Sequence, residues 1–208
     1  VVPNLLAPAL ARARSRGRAE ASVEVGRGLG LLLGLFVPAA LGLMLVADRA
    51  LPAVFGPVYR DGSGVLALVA ARLPVLLAAT WLGSALVALG SEREALRATA
   101  TAGLVALVAL PASAILFGPV GIAFAALGIE AVAVIGAWSA LRRIGLTAHR
   151  SVAWDRIVLG CAGLVGSVAA ASSAPLAVTC AAGAIGYGAG WALGHLLWSR
   201  TGTIGAPA

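Results

Sequence analysis

Residues 65–89 form an apolar run with one charge in it, Arg72, which stands two residues before Pro74. The run exceeds the roughly 20 residues a helix needs to cross a bilayer. A charge within such a span costs about 2.5–3.5 kcal/mol on insertion scales, which makes it a functional candidate by default. Pro74 removes a backbone donor beside it and favours a bend. Two outcomes stay open for Arg72. It either serves a ligand, or it snorkels to the nearer interface or pairs with a buried acid.

The same pattern recurs along the chain. Apolar spans are expected at about 25–47, 65–89, 95–117, 120–141, 157–172 and 176–198, and Val1 to Ala11 read as the end of an earlier helix. The 208 residues are 61% hydrophobic and 11% charged, with mean hydropathy +1.00. The expected fold is an all-α membrane protein: a polytopic helical bundle of about six full transmembrane helices plus the end of a preceding one. Three regions follow: 1–24, a helix end and basic loop; 25–143, four spans; and 144–208, a last helix pair with a short tail. The abrupt start at Val1 points to a piece of a larger protein.

The formal charge of +7 comes from 15 basic residues, all arginine, against 8 acidic ones. Most lie in short loops between spans, so topology explains them and nucleic acid is not an expected partner. Arg12, Arg14, Arg16 and Arg18 precede the first span. Arg93 and Arg97 follow the second, Arg142, Arg143, Arg150 and Arg156 the fourth, and Arg200 the sixth. The alternate loops hold Arg49 and Arg60, balanced by Asp48 and Asp61, or no charge. The positive-inside rule then puts the arginine-rich loops and the C-terminus in the cytoplasm. Cys161 and Cys180 read as small core residues, and His149 and His195 stand apart, so no metal set, cofactor or catalytic cluster is expected. An enzyme is not the expected reading.

Glu130 is the second intramembrane charge. It shares a face with Ala123, Ala126, Ala133 and Ala137, small residues that let another helix approach. By helical rise, Arg72 lies roughly 10 Å and Glu130 roughly 15 Å from the outer ends of their helices, within reach of each other if the helices are neighbours. Gly186-x-x-x-Gly190-x-x-x-Gly194 forms a ridge expected to pack on the span that carries Gly160, Gly163 and Gly166. Trp198 is an expected interfacial anchor beside it. Ser91 with Glu94 reads as a helix-capping box. Pro38, Pro74 and Pro111 are expected helix hinges.

The order of these features resembles a known family. A helix end with Pro8, a basic loop and a proline-containing span lead to Ala53-Val54-Phe55-Gly56-Pro57-Val58-Tyr59. The Arg72 span ends Ala88-Leu89-Gly90. Then come Leu116-Phe117-Gly118-Pro119-Val120-Gly121-Ile122-Ala123, the Glu130 span and Leu141-Arg142-Arg143. Over Val1 to Arg143 this is similar to the C-terminal half of the polysaccharide and lipid-linked oligosaccharide flippases of the multidrug/oligosaccharidyl-lipid/polysaccharide exporter superfamily. The last two spans resemble the extra pair of fourteen-helix members.

The resemblance implies alternating access in the cytoplasmic membrane. The partners would be membrane lipids, a polyprenyl-pyrophosphate-linked glycan and the missing N-terminal lobe. Arg72 and Glu130 would then be the substrate-binding residues, because arginine offers phosphate a planar donor fork. A small-molecule antiporter of the same superfamily and a non-transporting scaffold for glycan synthesis stand as the other readings.

Overall fold

A computed structural model describes residues 17–146 and 154–201. Among these every regular element is helical: α1 (Arg18–Phe55), a 3-10 turn (Pro57–Gly62), α2 (Ser63–Ala88), α3 (Glu92–Arg143), α4 (Trp154–Ala170) and α5 (Leu176–Thr201). Four stretches are long and apolar enough to cross a membrane: Arg18–Phe55, Pro57–Ala88, Glu92–Arg143 and Leu176–His195. Arg12, Arg14, Arg16, His149 and Arg150 lie outside the described residues.

Several ends differ from the expected spans. α1 begins before Val25 and takes in Glu20 and Glu24; Glu20 stands in its first turn, where an acidic residue favours the positive end of a helix. It also runs on past Ala47 through the expected loop at Asp48 and Arg49, where Ala50, Leu51 and Ala53 are good helix formers. It stops at Gly56, whose φ of 98° lies outside the helical region, and Pro57 opens the 3-10 turn.

The third and fourth spans are not joined by a loop. They form α3, which is broken at one residue, Gly118, with φ 60° and ψ −146°. Side chains are rarely tolerated there, and Pro119 then restarts the helix at its first position. The two arms fold back on each other. A Cβ at Gly136 would stand 3.2 Å from the Cβ of Ala98, and Arg143 lies 3.7 Å from Glu94. Each of these pairs straddles Gly118 at nearly equal distance along the chain, as an antiparallel hairpin requires. By contrast, α1, α2 and α3 continue without interruption through Pro38, Pro74 and Pro111.

The Ser91 capping box does not form. Ser91 is the N-cap residue, but its side chain makes no capping hydrogen bond. Glu94 pairs instead with Arg97 at 2.5 Å and with Arg143, charges that compete for the carboxylate. The turn before Ser91 is held through backbone: the Ser91 N–H donates to the Leu86 carbonyl at 2.8 Å, with Gly90 at φ 76°.

The described residues divide into two compact units. One comprises the chain up to Leu33 and from Leu68 to Leu146. Its core gathers Val25, Trp81, Leu82, Leu86 and Leu141, all but fully buried. The Trp81 ring fills the space that a side chain at Gly28 would need, and its Nε1–H donates to the Val25 carbonyl at 2.9 Å. The other unit comprises Gly34–Ala67 and the chain from Trp154 on. There Val46, Leu164 and Val168 form a cluster with Leu41, Ala50, Leu176 and Tyr187.

Candidate functional site

The two intramembrane charges expected from sequence meet in the first unit. Arg72 is carried by α2 and Glu130 by the second arm of α3. The Nη2 of Arg72 donates to Oε1 of Glu130 at 2.7 Å. The arginine side chain is 38% exposed and the glutamate 14%. Only one arm of the guanidinium fork is engaged, and the Arg72 Nε is buried with no acceptor among the described residues. A buried donor without a partner costs about 1–3 kcal/mol.

Glu130 also lines a cleft of about 900 Å³ within the same unit. The cleft lies among α2 and both arms of α3. Ala79, Thr80, Gly83 and Ser84 come from α2, Glu92, Thr99 and Gly103 from the first arm, and Ile129, Glu130 and Ala133 from the second. Small residues on all three segments leave the volume open, since alanine and glycine cannot fill the gap that larger side chains would close. Arg72 itself is not among the lining residues. Of the small-residue stripe around Glu130, Ala123 and Ala137 are buried.

The glycine ridge belongs to the second unit. A Cβ at Gly190 would stand 2.9 Å from the Gly160 Cα and closer still to the Leu159 carbonyl. One at Gly186 would meet the Gly163 carbonyl and Ser167, and one at Gly194 would lie 3.1 Å from the Arg156 Cα. Backbone thus rests on backbone along α4 and α5. Gly166 is not part of this contact, because nothing lies within 4 Å of its Cβ position. Its place on α4 turns it away from the ridge. The side chain of Trp198 lies outside the described residues.

Two polar anchors of the second unit escape sequence reading. Pro38 has no N–H, so the buried Gly34 carbonyl one turn earlier loses its helical partner, and the Tyr187 hydroxyl donates to it instead. A proline four residues after a buried position was the available signal, but the identity of the donor was not. Arg49, expected as a balanced loop charge, donates to the Ser172 carbonyl and, at 3.4 Å, to that of Ala174. It satisfies the turn between α4 and α5 together with Thr179, whose hydroxyl donates to the Ala171 carbonyl at 2.9 Å.

Among the described residues no group of His, Cys, Asp and Glu is arranged to hold a metal ion. Comparison with known proteins finds no matching family model, no matching curated protein and no matching solved structure.

Proposed function

We propose that the chain is the C-terminal half of a flippase that moves lipid-linked oligosaccharide or polysaccharide precursors across the cytoplasmic membrane by alternating access. On this reading the two arms of α3 count as separate spans and α4 as a short one, giving about six with α1, α2 and α5. The arginine-rich loops and the C-terminus face the cytoplasm. The observation that carries the reading is the Arg72 guanidinium, held within an apolar helix by one contact to Glu130 and with its Nε without an acceptor among the described residues. A pyrophosphate oxygen would take the Nε–H, because arginine binds phosphate through paired, coplanar donors. Glu130 holds the cation when no ligand is present and competes with the ligand for it, which favours release. The lipid tail stays in the bilayer, and the missing N-terminal lobe closes the pathway. Pro38, Pro74 and Pro111 lower the cost of bending as the lobes move.

The test is a charge cycle in the complete transporter, reading glycan export and membrane abundance together. Arg72→Ala abolishes export, and Arg72→Lys restores only part of it, because an ammonium lacks the planar fork. Both reach the membrane, since losing a charge does not hinder insertion. If the double change Arg72→Ala with Glu130→Ala exports normally, Arg72 is a structural partner of Glu130 and the ligand role fails.

A further inference from the structure

The cleft that Glu130 borders offers hydrogen-bond acceptors and almost no donors. Among the described residues its lining contains three hydroxyls, and each already spends its proton on its own helix. Thr80 donates to the Leu76 carbonyl at 2.8 Å, Ser84 to that of Thr80 at 2.8 Å, and Thr99 to that of Ala95 at 3.0 Å. What these side chains present is lone pairs. The other polar side chains of the lining are the carboxylates of Glu92 and Glu130, which only accept when ionised. Among the described residues no arginine, histidine, amide or indole side chain borders the cleft. Arg72 binds Oε1 of Glu130, while Oε2 accepts no hydrogen bond among the described residues. Glu92 has no ion-pair partner within 4.0 Å among them.

The acceptors are spread along the cleft. Glu92, Thr99 and Gly103 follow one face of the first arm of α3. The contact of Gly136 with Ala98 places Glu130 nearly level with Gly103. At about 1.5 Å of rise per residue, the two carboxylates stand roughly 15–18 Å apart along the helix, with the hydroxyls between them. An elongated groove with acceptors at intervals and apolar walls of alanine, valine and leucine matches a short run of sugar rings. Such rings carry hydroxyl donors on their edges and C–H faces between.

We infer that this cleft binds a segment of two or three sugars through their hydrogen-bond donors and prefers sugars bearing an ammonium group to sugars bearing a carboxylate. That the ligand is a glycan rests on the flippase reading; the acceptor-only chemistry does not. The preference runs against the net charge of the chain, +7, which by itself attracts anions. It is therefore diagnostic of the cleft.

The test uses the full chain purified in detergent and three trisaccharide probes, followed by saturation-transfer NMR titration. The probes are the glucosamine trimer at a pH that keeps its amines protonated, maltotriose and trigalacturonate. The glucosamine trimer binds tightest, by about tenfold over maltotriose, the gain expected for an ammonium on a carboxylate. Trigalacturonate binds weakest. Glu130→Gln and Glu92→Gln each remove part of that gain and leave maltotriose nearly unchanged. Glu92 is exposed, so its variant folds even if loss of the Arg72 partner unfolds the other. Trigalacturonate binding as tightly as the glucosamine trimer overturns the inference, and so does an unchanged trimer affinity in Glu92→Gln. A failed charge cycle with this order of affinities intact would remove the flippase role of Arg72 and leave the cleft standing.

Discussion

The hydroxyl of Tyr187 replaces a backbone donor that Pro38 cannot supply, and this substitution can be measured. Tyr187→Phe keeps the ring against Gly160 and Trp191 but leaves the Gly34 carbonyl without a partner. Gly34 is buried, so water does not take over. An unsatisfied buried acceptor costs about 1–3 kcal/mol in water-soluble proteins, whereas side-chain hydrogen bonds within membranes average about 0.6 and reach about 1.7 kcal/mol. The expected loss is about 1 kcal/mol.

The decisive comparison is in a Pro38→Ala background. Alanine restores an N–H at position 38, which closes the ordinary helical bond to Gly34, and Tyr187→Phe then costs little. Unfolding in mixed detergent–SDS micelles, followed by tryptophan fluorescence, gives the four stabilities of the cycle. The coupling should be about 1 kcal/mol, well above the roughly 0.3–0.5 kcal/mol scatter of independent sites. An equal cost of Tyr187→Phe in both backgrounds would refute the exchange of donors.

Gly190→Leu should destabilise the pairing of α4 and α5 by about 1–3 kcal/mol, because the side chain must enter space held by the Leu159 and Gly160 backbone. An unchanged melting temperature in detergent would show that the ridge is not a packing surface. For topology, single cysteines at Arg14, Tyr59 and His149, with Cys161 and Cys180 replaced, are exposed to an impermeant thiol reagent in intact cells. Label at position 59 and none at 14 or 149 is expected, and the reverse pattern would invert the arginine argument.

The helices were legible because their information is local. An apolar run of bilayer length can bury its backbone polar groups only by coiling, and each such run is helical here. The meeting of Arg72 and Glu130 was within reach of sequence, since two lone charges at similar depth have few other ways to be satisfied. What sequence left open depends on competition or on distance along the chain. Ser91 and Glu94 have the spacing of a capping box, yet Arg97 and Arg143 hold the carboxylate, and Arg143 is a neighbour only because α3 doubles back. Tyr187 reaches across 153 residues to Gly34, and Arg49 across more than 120 to the turn before α5. No periodicity encodes such pairings. The acceptor character of the cleft was hidden for a related reason, because a threonine in a helix is a donor or an acceptor according to where its proton goes.

The turn at Gly118 also bears on how the chain is made. On the flippase reading, α2 enters the membrane with Arg72 before either arm of α3 has left the ribosome, and Glu130 emerges 58 residues later. At about 5–20 residues per second, the arginine waits roughly 3–12 s for its counter-charge. Glu130, in contrast, arrives on an arm already tied to its fellow by a turn without slack. The acid therefore enters beside a cation that is already in place, and of the two charges only the arginine, with its long stem able to reach the interface, spends time in lipid alone.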